Sequence, residues 1–262
     1  MKLTSLMRCF LIVSVVVSLI TTSCVDTRKA TYFNGLADGA TPVTFSVPEN
    51  IIRKNDILSI SVSSLNPEAT EIFNTPNISG TTGGGNIISG YLVSPEGTID
   101  FPILGRIKAH GFTKDQLKES ITQMLVNRKL LTDPIVSIRL MNFRVTVLGE
   151  VQNPSVINIP NEKISLLEAI GLAGDLTIYS KRDNVLLIRE EGGQIIRKRI
   201  NLNTTELLTS PYFYLKSEDV IYVEPNKTRV ATSGRGSQWI PVAFSVLSFA
   251  AIVVDRVSSN NR

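Results

Sequence analysis

The sequence predicts an α+β protein built from two small mixed domains, with an apolar segment at each end. Three observations predict it. Short runs of β-forming residues alternate with turn signals along most of the chain. Two stretches, opening at Thr113 and Ser165, carry full helix-start signatures. Met141-Asn142 separates the strand-rich groups to either side, and 262 residues are enough for two cores.

Residues 1–23 have a basic start at Lys2 and Arg8, an apolar run from Phe10 to Ile20, and then small residues. That is the layout of a secretory signal, because the apolar run is too short for a membrane span. It ends Ile20-Thr21-Thr22-Ser23-Cys24, which resembles a bacterial lipobox. Removal of the signal would also remove Cys9, leaving Cys24 unable to form an internal disulfide and suited to carry a lipid. Acyl chains contribute about 0.8 kcal/mol per buried CH₂, so several would hold the N-terminus on a membrane. The competing reading is an ordinary signal peptide with an incidental Cys. The formal charge of +4 includes Lys2 and Arg8, so the mature chain is near neutral and does not argue for nucleic acid.

Residues 24–48 read as the lipidated N-terminus and a polar linker, with a short strand near Val43 to Val47. The first domain is expected over 49–141. Lys54-Asn55-Asp56 is a turn before the alternating strand Ile57 to Val62. Ser79 to Asn86, with Gly80, Gly83, Gly84 and Gly85, reads as a flexible loop, since no Lys-Ser/Thr or helix follows to make it a phosphate cradle. Tyr91-Leu92-Val93 and Thr98 to Phe101 flank Ser94-Pro95-Glu96-Gly97, a type I turn pattern, and predict a hairpin. Pro102 ends that ladder and the chain bends into Ile103 to Ile107. Thr113 and Gln116 form a capping box, and Phe112 and Leu117 are placed as a hydrophobic staple. Leu117, Ile121, Met124 and Leu125 give the helix one apolar face.

The order "GTIDFPILGRI", "GFT", a capped helix and "DPIVSIRL" resembles the polysaccharide export domain of outer-membrane capsule and exopolysaccharide secretion proteins. Gly97, Ile99, Pro102, Leu104, Gly105, Gly111, Thr113, Leu117, Pro134 and Val136 carry the resemblance.

The second domain is expected over 142–226. Ile135 to Leu140 and Phe143 to Leu148 are strand-like, and Ser165 with Glu168 forms a second capping box closed by Gly174. Asn184 to Arg189, the turn Glu190 to Gly193, and Gln194 to Ile200 read as strand, turn and strand, with Asp219 to Val223 closing the unit. The unit resembles a soluble-ligand-binding β-grasp (SLBB) domain, which follows the export domain in that family. Gly149, Glu150, Val151, Pro154, Leu167, Ala169, Ile170, Ala173, Gly174, Arg189 and Asp219 carry this match. The chain departs from the family at Pro154-Ser155, where Pro-Gly is usual, and at Ala173-Gly174-Asp175, where Ala-Gly-Gly is usual. Gly also commonly stands where this chain has Asn55 and Glu218. Together the two resemblances cover about Asn50 to Asn226.

Arg197-Lys198-Arg199 is the densest basic run. Strand alternation puts Arg197 and Arg199 on one face. They either contact an acidic glycan or protect an edge strand by charge, and the second reading is favoured.

Residues 227–262 end in a helix expected at about 239–257. Trp239 to Val254 is apolar apart from two serines and spans roughly 24 Å as a helix, which fits a thin bilayer such as the outer membrane. Pro241 is tolerable if it falls in the first turn. At 100° per residue, Pro241, Ser245, Ser248, Asp255 and Ser259 share one arc, with Ile252 among them. Copies arranged in a ring would turn Ser245, Ser248 and Asp255 to a central water path. A simple anchor helix in the inner membrane is the competing reading.

His110 is the only histidine, which removes His-based triads within one chain and makes a His-rich metal site implausible. Glu96 and Asp100 are paired carboxylates by proximity alone, so no catalytic residue, metal or cofactor is expected and the chain reads as a non-enzyme. The resemblance implies an outer-membrane lipoprotein with its body in the periplasm of a Gram-negative bacterium. It further implies a homo-oligomeric ring that passes a polysaccharide, and an inner-membrane copolymerase partner that often has tyrosine-kinase activity. The alternative is a lipid-anchored periplasmic glycan-binding or scaffold protein without its own pore.

Overall fold

The computed structural model describes residues 30–40, 49–75, 78–81, 87–233 and 236–260. The expected signal segment, Cys24, the strand near Val43 to Val47, and Gly83 to Gly85 lie outside these residues.

The first domain contains β1 (Ile57–Ser63), β2 (Ile78–Thr81), β3 (Ile87–Leu92), β4 (Thr98–Phe101), β5 (Gly105–Lys108), α1 (Lys114–Asn127) and β6 (Ile135–Leu140). Its main sheet runs β2-β3-β1-β6, antiparallel throughout, and β4 and β5 form a separate ribbon. Leu58, Ile60 and Val62 alternate inward along β1, as period-2 patterning requires. On α1, Leu117, Ile121 and Leu125 are fully buried, and both halves of the Thr113–Gln116 capping box are formed. Tyr91 is buried with its hydroxyl near the Phe73 and Thr75 carbonyls, at 3.0 and 2.9 Å; burial pushes this phenol up to about 12.

Two expectations for this domain need correction. The Ser94–Gly97 turn forms, with the Gly97 N–H donating to the Ser94 carbonyl at 2.8 Å. It does not, however, join a hairpin: β3 pairs with β1 and β2, whereas β4 pairs with β5. Val93 extends the pairing on the β1 side: its N–H donates to the Asp56 carbonyl and its carbonyl accepts from the Asn55 N–H, at 2.8 and 2.9 Å. Toward β4 the Ser94 N–H closes the turn on the Thr98 carbonyl at 2.8 Å without a ladder following. Part of the expected Gly-rich loop is strand as well, since Ser79, Gly80 and Thr81 lie in β2 opposite β3.

The second domain contains β7 (Arg144–Gly149), β8 (Ser155–Asn158), α2 (Leu166–Leu172), β9 (Ser180–Glu191), β10 (Gln194–Ile200) and β11 (Val220–Pro225). Its sheet order is β10-β9-β11-β7-β8, with β11 parallel to β7 and the other pairs antiparallel. The Ser165–Glu168 capping box starts α2, and Gly174 follows its end at φ 81°. Gly149 is obligatory where β7 meets β11: its φ is 93°, and a Cβ there would sit 2.0 Å from the Val223 carbonyl oxygen. The β9–β10 tip, Gly192-Gly193, has positive φ at both residues, as a two-residue hairpin turn demands.

Part of the expected linker is docked. Phe33 and Asn34 donate backbone N–H groups to the Leu202 and Asn203 carbonyls, and the Tyr32 hydroxyl donates to the Asp175 carboxylate. Beyond β11 come α3 (Lys227–Ser233) and α4 (Gly236–Asn260). The tail is helical as expected, but α4 starts three residues before Trp239, so Pro241 falls beyond its first turn. Among the described residues, no helix is long and apolar enough to cross a membrane.

Candidate functional site: the cleft between the domains

The domains are clasped at one end of their interface and open at the other. The clasp is Glu162, at φ 53° in the loop after β8. Its carboxylate accepts the Leu140 N–H at 2.9 Å and pairs with Lys114 at 2.6 Å, while its carbonyl accepts from the Asn50 amide at 3.3 Å. At the open end lies a cleft of about 690 Å³. The first domain contributes the Arg53–Asp56 turn and His110-Gly111; the second contributes the β9–β10 tip and the Lys216–Glu218 turn. Arg53 reaches across, donating to the Glu190 carbonyl at 2.8 Å and lying 3.7 Å from the Glu218 carboxylate. Lys216 pairs with Glu191 at 2.6 Å, and that bond holds the Glu191 carboxyl below its usual range.

The two turns that face the cleft are built alike. In each, an Asp carboxylate accepts the backbone N–H three residues earlier: Asp56 from Arg53, and Asp219 from Lys216, both at 2.8 Å. In each, the residue before the Asp has positive φ, 67° at Asn55 and 69° at Glu218. A strand follows, β1 or β11. The partners differ. Asp219 takes a two-point grip from Arg189, at 2.9 and 2.6 Å, and both side chains are buried. Asp56 is 8% exposed and, among the described residues, meets no equivalent buried guanidinium; burial pushes it up to about 6. The Arg53 N–H works against that shift, whereas the Glu218 charge adds to it.

Residues 46–141 match the model of polysaccharide biosynthesis/export proteins, and residues 143–223 match that of the SLBB domain. The chain belongs to the polysaccharide export family. That family consists of export proteins rather than enzymes. Two relatives are both described as EPS I polysaccharide export outer membrane protein EpsA. The one from Ralstonia nicotianae is 33% identical over 151 residues, which is 55% of this chain and 39% of the relative. The one from Ralstonia solanacearum is 27% identical over 143 residues, 53% of this chain and 37% of the relative. The chain therefore matches about two fifths of the length of these relatives.

Family membership makes the departures at Asn55, Asp175 and Glu218 interpretable. All three have positive φ, the region glycine enters without penalty. Asn and Asp tolerate it through local hydrogen bonds, as the Leu176 N–H donating to Asp175 at 2.6 Å shows; Glu218 has no such ease.

The site residues expected from sequence are not brought together. Cys24 lies outside the described residues. Arg197 and Arg199 sit on β10, which is an edge strand. Arg199 is engaged by Glu224 and Asn184, each at 2.8 Å, in a cluster that Lys181 joins at 3.1 Å from Glu224. Ser245 and Ser248 are exposed on α4, which also carries Asp255; the Ser245 hydroxyl donates to the Pro241 carbonyl at 2.8 Å. Asp100 pairs with Arg106 at 3.8 Å on the outer face of the β4–β5 ribbon, and His110 lines the cleft. Among the described residues, no cluster of three or more His, Cys, Asp or Glu could hold a metal ion.

The cleft was not evident from sequence, because its walls lie up to about 165 residues apart in the chain. The one local signal was the paired Asp turns, Lys54-Asn55-Asp56-Ile57 and Ser217-Glu218-Asp219-Val220.

Proposed function

We propose that this protein is an outer-membrane lipoprotein that exports capsular or extracellular polysaccharide. In this reading Cys24 carries the lipid, both domains stack with other copies into a periplasmic ring, and the tail helices line the exit. The ring performs no reaction. It supplies a hydrated path, and an inner-membrane copolymerase, often a tyrosine kinase, feeds the polymer from below.

The observation that carries the reading is an export domain followed directly by an SLBB domain and then by a helix of 25 residues. On α4, Trp239, Phe244, Phe249 and Ile252 are all exposed. A helix that shows this much apolar surface calls for lipid or for other copies to cover it. Pooling several such helices lets each turn its serines inward and its aromatic residues outward.

Electron microscopy of the detergent-extracted protein tests the ring directly and should show closed multimers. Deleting the residues after Gln238 should abolish export while leaving both domains folded. Cys24→Ser should block labelling by radioactive palmitate. A single-copy particle, together with undiminished export by the truncated chain, would overturn the conduit.

The SLBB match favours a second reading, in which the chain acts as a lipid-anchored periplasmic glycan-binding or scaffold protein without its own pore. Export that survives the truncation but fails without the two domains selects that reading.

A further inference from the structure

The cleft between the domains has features that export alone does not call for. It stays open although the Glu162 clasp fixes the domains a short way off. Its volume falls within the roughly 300–1,000 Å³ of sites that hold small molecules. Among the described residues, its lining contains no Phe, Tyr or Trp, and carboxylates outnumber Arg and Lys side chains five to three. One of those carboxylates, on Asp56, is buried without the guanidinium that its twin Asp219 receives.

We propose that this cleft binds a short saccharide segment, neutral or amine-bearing, with Asp56 and Glu218 accepting its hydroxyl or ammonium hydrogens and Arg53 donating to its oxygens. The proposal rests on the export reading and names the ligand class of one site within it. Hydroxyl groups suit a lining of carboxylates, amides and cations, because charge-assisted hydrogen bonds are stronger than neutral ones. The surplus of carboxylates repels a uronate or sulfated sugar and admits an amine. The lack of aromatic faces to stack on keeps the binding weak. Weak binding suits a conduit, where a chain must leave each contact as readily as it enters.

Saturation-transfer NMR on the full chain in detergent tests this with three probes: cellotriose, the glucosamine trimer and the galacturonate trimer. Saturable binding is expected for the first two, at least tenfold tighter than for galacturonate. Asp56→Asn retains an acceptor for the Arg53 N–H, so the fold should persist by circular dichroism. That variant, like Glu218→Gln, should weaken binding fivefold or more. The proposal is overturned if neither of the first two trimers saturates, if both substitutions leave affinity unchanged, or if galacturonate binds best. The parent reading fails separately, if cells lacking the whole chain still export polymer.

Discussion

Two turns in this protein share a backbone and differ in their electrostatics. The Arg53–Asp56 turn opens β1 of the export domain, and the Lys216–Asp219 turn opens β11 of the SLBB domain. Both place a buried aspartate on the N–H three residues back, and both carry positive φ just before it. Asp219 faces inward and is answered by Arg189; Asp56 faces a cleft and has no buried cation. The same local device thus serves as a sealed core element in one domain and as a wall of an open site in the other. Whether a buried carboxylate is paired separates the two roles.

The sharpest way to break the comparison is to remove the pairing where it exists. Arg189→Met leaves Asp219 buried beside no cation and should cost about 3–5 kcal/mol. Urea unfolding, with hydrogen exchange read on β9 and β11, measures the loss. Adding Asp219→Asn should recover much of it, because an amide still accepts the Lys216 N–H and no charge stays buried. If the double variant is no more stable than Arg189→Met, the pair holds the domain by packing rather than by charge.

The next effect depends on pH and belongs to Asp56. Its carboxyl titrates near 6 in the folded protein, above the 3.8 of a free side chain, so between those values the folded state binds more protons than the unfolded one. Stability from this group is therefore present at low pH and declines as pH rises toward 6 and beyond. Arg53, Glu218 and His110 are the charged or titratable groups that act on it. After allowance for solvent at the cleft mouth, the penalty above pH 6 is about 1–2 kcal/mol. Asp56→Asn should be the more stable protein at pH 7 and should lose that advantage at pH 4. Melting curves for both proteins across this range decide it.

A smaller contrast lies in the two capping boxes. Thr113 is partly exposed on α1, whereas Ser165 is buried at the start of α2. Replacing either with Ala should cost about 1 kcal/mol, with Ser165→Ala the larger because Ser165 is the more buried of the two caps and water replaces its oxygen less readily. Thermal melting of the two variants orders them.

These caps were fully legible in the sequence, since every residue of the motif lies within four positions. So was the Ser94–Gly97 turn. What the turn joins was not, because the neighbour of β3 is decided by Val93 meeting Asn55 and Asp56, some forty residues earlier in the chain. The Tyr32–Asp175 contact escaped for the same reason: a polar, Gly/Thr-rich stretch says nothing of a carboxylate far along the chain that will hold it. The cleft required both domains to be folded and clasped before its walls existed. Short-range chemistry was readable; the meeting of distant segments was not.

The smallest expected effect turns on Glu218, where the two turns differ in backbone comfort. A Glu at φ 69° carries a steric penalty of about 1 kcal/mol that Gly would not. Its pairings with Arg53 at 3.7 Å and Arg144 at 3.4 Å are exposed and contribute little against that. Glycine gives back part of the gain through the greater freedom of the unfolded chain. Glu218→Gly should therefore stabilise the SLBB domain by about 0.5 kcal/mol, and Asn55→Gly should change the export domain by less, because Asn enters this region readily. Paired urea titrations of the two variants provide the measurement. If Glu218→Gly instead destabilises by 1 kcal/mol or more, the bridge from Arg53 to Glu218 is holding the two domains together, and the open end of their interface is fastened as firmly as the clasped one.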